Sequence, residues 1–424
     1  SPSGALLATG AVREGYGCVC LWDAASGRRL RQLPGNCRYV QTLLFSPDGR
    51  TLASTTEDST VRVWDVTTGN ERWHIQGKDE WGSFNSLAFT ADGRRLVCGS
   101  NLTKNNAVFV WNTATGRQIA RIPVEEHPCG LAVLPDGRHL ITVDKDDGAI
   151  RIRELATGKV FPEFGRLDTS CHALALSHDG RLLATTTATN EGQATVRMWE
   201  IASGKQLCDF RGCHTRAAFS RDDRWLASGS NNTVLVWDLT GRLAPWGAAA
   251  DLRTRSLEEL WDLLMSPDAG RAHLAMWEMV ERGQPSVLFL EQRLHSVSAA
   301  LVSRVPGWIR MLDDVHFAVR EQASRELSAV GELAVPALRR VLADRCSLEV
   351  RRRATRLLAK LDRPIPSPAV LRDLRGVAIL EHIGTPEAQA LVAKLASGAT
   401  AARLTREAEA SLARLGKAHR DSDH

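Results

Sequence analysis

Two short words alternate along residues 1–243, and their fixed order limits the fold of this chain more than any other feature. One word ends a β-rich run at Trp-Asp, or a variant of it, and closes on a glycine turn: VCLWDAASGRRL (19–30), VRVWDVTTGNERW (61–73), VFVWNTATGRQI (108–119), IRIRELATGKVF (150–161), VRMWEIASGKQL (196–207) and VLVWDLTGRL (234–243). The other word precedes it each time: SPSGALLATG (1–10), SPDGRTLAST (46–55), TADGRRLVCGS (90–100), LPDGRHLITV (134–143), SHDGRLLATT (177–186) and SRDDRWLASGS (220–230). The Asp-Gly and Ser-Gly pairs supply the positive φ that tight hairpins need. Val61 and Val63 flank Arg62 in the alternation of a half-buried strand, and Val40, Leu43, Leu44 and Phe45 add another strand upstream. Four short strands per unit make a wedge that cannot cover its own apolar faces, so the units must stack on one another.

Six such units predict a β-propeller over residues 1–243. The words resemble the WD40 repeat family, with Trp22, Trp64, Trp111, Trp199 and Trp237 as repeat markers. The resemblance implies a ring of blades, commonly seven, closed by pairing the first strand with the last blade. The chain opens at the turn between a blade's first two strands, so an incomplete seven-bladed ring with upstream sequence is expected. Members often carry a bonded set of Trp, Ser/Thr, His and Asp; Asp58 and Asp147 match its Asp, and Asn231 stands at the same place in the last unit. The Gly-His pair that opens a typical repeat is missing, and Arg153 replaces the fourth marker Trp. We read Arg153 as a degenerate marker whose side chain reaches solvent; the sharper reading is an interaction site.

After Trp237 the period changes. LTGRLAPWGAAAD (239–251) is rich in Gly, Pro and Ala, and residues 244–255 read as a linker. From Ser256 the apolar spacing is helical, as in Leu257, Leu260, Trp261, Leu263 and Leu264. FAVREQASRELSAVG (317–331) and LEVRRRATRLLAKL (348–361) are one word repeated, with Val319 and Val350 31 residues apart, as in stacked helix pairs. Ser367-Pro368 and Thr385-Pro386 mark helix starts, and Gly331, Gly384, Gly398 and Gly416 are expected to end helices. These words resemble HEAT-like repeats over about 310–416, within an all-α domain at 256–424. The combination is similar to large bacterial WD40 repeat proteins.

The chemistry of a catalyst is hard to find. No GxxxxGK[ST], GxGxxG before a helix, GxSxG or HExxH is present, and no catalytic residue or cofactor is expected. His127 with Cys129, Cys171 with His172 and Cys213 with His214 fall just before the first strand of three successive units. We read them as packing residues, because separate blades should hold them too far apart for metal bonds of ~2.0–2.3 Å. Nine scattered cysteines without a CxxC pair favour a reducing, cytoplasmic setting over a disulfide framework. No apolar run reaches the ~18 residues of a membrane span. The net charge of +5 is spread over both parts, unlike a nucleic-acid module.

The expected function is therefore a protein or peptide scaffold. Its candidate contacts are Trp81 in the loop KDEWGS, Arg38, Arg153, and Arg351 with Arg352 in a basic helical run. Three rivals stand beside it: the regulatory or sensory part of a larger kinase or sigma-factor-like protein, a propeller enzyme with a polar central channel, and nucleic-acid binding through the Arg351 helix.

Overall fold

The structure, a computed structural model, describes all residues except 14–15, 38, 78–82, 102–105, 125–127, 145, 162–163, 169–170, 189–193, 214–215, 231–232, 242–248, 362–365 and 423–424. The chain forms two compact units, Ser1–Leu239 and Thr240–His424.

The first unit is six antiparallel sheets in chain order. Blade one holds β1 (Leu6–Arg13), β2 (Tyr16–Asp23) and β3 (Arg29–Cys37). Blade two holds β4 (Val40–Phe45), β5 (Thr51–Thr56), β6 (Thr60–Asp65) and β7 (Glu71–Gln76). Blade three holds β8 (Ser83–Phe89), β9 (Arg95–Asn101), β10 (Ala107–Asn112) and β11 (Gln118–Pro123). Blade four holds β12 (Pro128–Val133), β13 (His139–Asp144), β14 (Ala149–Glu154) and β15 (Gly165–Arg166). Blade five holds β16 (Cys171–Leu176), β17 (Leu182–Ala188), β18 (Ala194–Glu200) and β19 (Lys205–Cys213). Blade six holds β20 (Ala217–Phe219), β21 (Trp225–Ser230) and β22 (Thr233–Asp238).

The repeated turn word works through its hydroxyl. Ser46 Oγ donates to Asp48 at 2.5 Å and accepts the Thr51 N–H at 3.0 Å, while Asp48 accepts the Arg50 N–H at 3.0 Å. Thr90 with Asp92, Ser177 with Asp179 and Ser220 with Asp222 repeat this at 2.5–2.6 Å. The turn also needs a left-handed residue, supplied by Gly49 at φ 69°.

The marker tryptophans join blade to blade. Trp64 is fully buried and donates its indole N–H to Pro34 O on β3, at 3.0 Å. Phe210 of β19 stacks on Trp237 of blade six at 5.1 Å. Gly165 of β15 lies so close to Trp199 that a Cβ would stand 2.7 Å from the ring. Each outer strand thus becomes a wall of the next blade's core, as stacking requires.

The second unit is all-helical. A 3-10 turn (Ala249–Thr254) buries Leu252. It leads to α1 (Leu257–Leu263), α2 (Ala269–Arg282), α3 (Gln284–Arg293), α4 (Ala299–Met311), α5 (Phe317–Val330), α6 (Val335–Ala343), α7 (Leu348–Leu361), α8 (Pro368–Ile383), α9 (Pro386–Ala396) and α10 (Arg403–Ser422). Ser256 caps α1 in a capping box with Glu259, and Ser367 and Thr385 cap α8 and α9 ahead of their prolines. Gly416 does not end its helix: α10 runs through it, in open surroundings where glycine costs only about 1 kcal/mol.

Two main cores form in this unit. One joins α1–α3 with α8–α10 around Trp261, Trp277, Leu290 and Ile379. The other joins α4–α7 around Trp308, Leu327, Leu338 and Ala354. Arg375, 4% exposed on α8, donates Nη1 to the Leu264 carbonyl at the end of α1.

Candidate interaction surfaces

Arg153 does not reach solvent. It is 3% exposed and its Nε donates to Thr142 Oγ1 at 3.3 Å. In blades five and one the marker Trp makes this bond: Trp199 Nε1 donates to Thr185 Oγ1 at 3.0 Å, and Trp22 Nε1 to Thr9 Oγ1 at 2.7 Å. The register is the same, with Arg153 opposite Leu140, Trp199 opposite Leu183 and Trp22 opposite Leu7. The expectation fails because Arg153 lies in the buried marker position with the Thr142 hydroxyl in reach, where its guanidinium finds an acceptor without reaching water. Arg153 is therefore part of the scaffold and no longer a surface candidate.

The other markers fall into two groups. Trp64, Trp111 and Trp199 are buried; Trp22 and Trp237, in the first and last blades, are half-buried. Asp58 accepts from Thr56 Oγ1 at 2.5 Å. Asp147 accepts the Ala149 N–H at 2.8 Å and pairs with Arg151 at 2.6 Å, and that arginine holds its carboxyl below the usual range.

Cys129 and Cys171 are closer than separate blades led us to expect: β12 and β16 pack side by side, and Cys129 packs against the core cluster that holds Cys171. The Cys129 thiol and burial push the Cys171 thiol well up, away from a nucleophilic thiolate. His127 and His214 lie outside the described residues, as do Trp81, Arg38 and Asn231. Among the described residues, no group of three or more His, Cys, Asp or Glu could hold a metal ion. Among them too, no helix is long and apolar enough to cross a membrane.

A cavity of about 370 Å³ in the helical unit is lined by residues including Leu252, Leu274, Trp277 and Glu278. Two of its polar groups are engaged: Trp277 Nε1 donates to His273 Nε2 at 3.0 Å, and Glu278 pairs with Arg282 at 3.1 Å.

Large apolar side chains are exposed at several places, among them Tyr39 and Leu288, and two groups stand out. On β22, Val234 is 69% and Val236 59% exposed. In the helical unit, Val315 before α5, Phe317 at its start and Leu348 at the start of α7 are 85%, 64% and 82% exposed. Arg351 and Arg352 follow Leu348 on α7 and are also exposed. The apolar partners were absent from our candidates; the signal was there, since a Phe and a Leu occupy the same place in a repeated word.

The family model for the WD domain, G-beta repeat, matches residues 27–65 and 204–238. With the six sheets in register, that decides the matter. The chain carries WD40 repeats in a six-bladed β-propeller. Relatives include the WD repeat-containing protein WDS homolog of Arabidopsis thaliana, 31% identical over 217 residues, covering 47% of this chain and 38% of that protein. The guanine nucleotide-binding protein subunit beta of the same plant is 33% identical over 109 residues, 25% of this chain and 28% of its own. Its autophagy-related protein 16 is 25% identical over 255 residues, 56% of this chain and 46% of its own. The chain thus spans less than half the length of each of these eukaryotic relatives. The crystal structure of the Myceliophteria_thermophila Cps50 (Swd1) beta-propeller domain aligns with a TM-score of 0.47 and 15% identity, over 56% of this chain and 80% of that one.

Proposed function

We propose that this protein is a non-catalytic scaffold that binds protein partners, through the propeller and through a HEAT-like helical unit. The observation that carries the reading is the exposed apolar set: Val234 and Val236 on the edge of β22, and Val315, Phe317 and Leu348 at two helix starts. Exposed apolar side chains that gather on one face are a sign of a protein contact, and Val234 and Val236 share one face of β22. The HEAT-like reading is supported by α5 and α7, whose equivalent residues Ala323 and Ala354 are both fully buried in one core. The WD40 relatives support the propeller as the scaffold's larger part.

The full chain, purified and immobilised, is expected to retain one or a few proteins from its own cell extract. Each is then remade and titrated against the full chain and two variants, V234D/V236D and F317D/L348D. At least one variant should weaken binding about tenfold or more, the loss of ~1.4 kcal/mol or more expected when a well-buried anchor is removed. Partners that bind both variants as tightly as the unaltered chain would sink the reading.

A further inference from the structure

α5 and α7 are equivalent residue by residue: Phe317 corresponds to Leu348, Arg320 to Arg351, Glu321 to Arg352 and Ser324 to Thr355, each 31 positions on. On α5 these four positions form the face that receives α7. Arg353 Nη1 of α7 donates to the Glu321 carboxylate at 2.7 Å and to Ser324 Oγ at 3.1 Å. Its guanidinium lies 5.9 Å over the Phe317 ring, and Glu349 stands 3.4 Å from Arg320 Nε. On α7 the corresponding face is open: Leu348, Arg351, Arg352 and Thr355 are all exposed. The next helix does not continue the stack, because α8 packs against α2, α9 and α10.

We propose that this face of α7 docks an acidic amphipathic helix from a protein partner, laid on α7 as α7 is laid on α5. The inference rests on the scaffold reading and gives it a surface and a partner chemistry. The molecule contains its own template for the contact. The α5 face offers one cation and one anion, Arg320 and Glu321, and takes Glu349 and Arg353 in return. The α7 face offers two cations, Arg351 and Arg352, so the complementary helix carries carboxylates at both places. Leu348, 82% exposed beside them, asks for an apolar side chain. A second copy of α7 would set arginine against arginine, and a nucleic-acid backbone would leave Leu348 in water.

The test uses a labelled, stapled helix of α7's own length, 14 residues, with its apolar stripe kept and glutamate at its four arginine positions. It is titrated against the full chain by fluorescence anisotropy, at about 50 and 300 mM salt. Saturable binding is expected, weaker by about tenfold or more in R351E/R352E and about threefold in Leu348→Ser, and weaker at the higher salt. The same helix with arginines retained should not bind. All three substituted residues are exposed, so thermal melts should be unchanged; if the double variant melts early, Arg352→Gln replaces it. Equal affinity for the unaltered chain and the arginine variants overturns the proposal. So does the absence of saturable binding, or a duplex oligonucleotide that binds through these arginines where the helix does not. A helix that fails to bind, while a captured partner is still lost in V234D/V236D, removes this inference and leaves the scaffold reading standing.

Discussion

Arg153 shows how far one residue's role depends on what surrounds it. Its sequence signature is a broken repeat, and its charge argues for solvent. In the structure it fills the slot of a marker Trp and donates to the same threonine position as Trp199 does. A buried guanidinium is tolerated only where its donors find acceptors, so its surroundings must be matched to it. Arg153→Leu removes that donor and leaves Thr142 beside an apolar group. It should lower propeller stability by about 1–3 kcal/mol, read from urea unfolding. Arg153→Trp keeps an N–H within the slot and should cost less; if the two variants are equally destabilised, the shared role of Arg and Trp here is wrong.

At the scale of elements, the turns do more than reverse the chain. Where the five other blades place glycine, blade six places Asp223, held at φ 55°. A left-handed aspartate is strained by roughly 1 kcal/mol relative to glycine. What offsets the strain is a join between two blades. Asp223 accepts the backbone N–H groups of His178 and Asp179, each at 2.9 Å, and meets the His178 ring at 3.1 Å. The Asp223 carboxylate raises the His178 pKa above its ordinary 6.5. A raised folded-state pKa means that this stabilisation is complete below about pH 6.5 and fades as pH rises through the folded value. Melting temperature should therefore fall between about pH 6 and 8 by an amount that Asp223→Asn abolishes. Because the His178 ring is half in water, the effect should stay below about 1 kcal/mol. An identical pH slope in the variant would show that the pair does not couple the blades.

At the scale of the whole molecule, the first and last blades differ from the rest. Among the described residues, blades one and six each have three strands, where the others have four. Arg216, just before β20, reaches blade two, donating to Gln41 O at 2.8 Å and Thr42 Oγ1 at 3.2 Å. Three-stranded sheets, with fewer ladder bonds, should open more often than four-stranded ones. Amide exchange is therefore expected to be faster in blades one and six than in blades three and four, and Arg216→Ala should speed it further in β4 and β20 alone. Uniform exchange around the propeller would contradict this. The sequence by itself determined the six blades, their turns, the change to helices after Trp237 and the 31-residue register of α5 and α7. Those are local properties, written in hydrogen bonds between near neighbours and in the spacing of apolar residues. Only the tertiary structure decided where Arg153 goes, that Asp223 bonds to another blade, that Cys129 packs against the cluster holding Cys171, and that α7 ends its stack with Leu348 uncovered. Each of these depends on a partner that a different element brings from far along the chain, and periodicity carries no information about such a meeting.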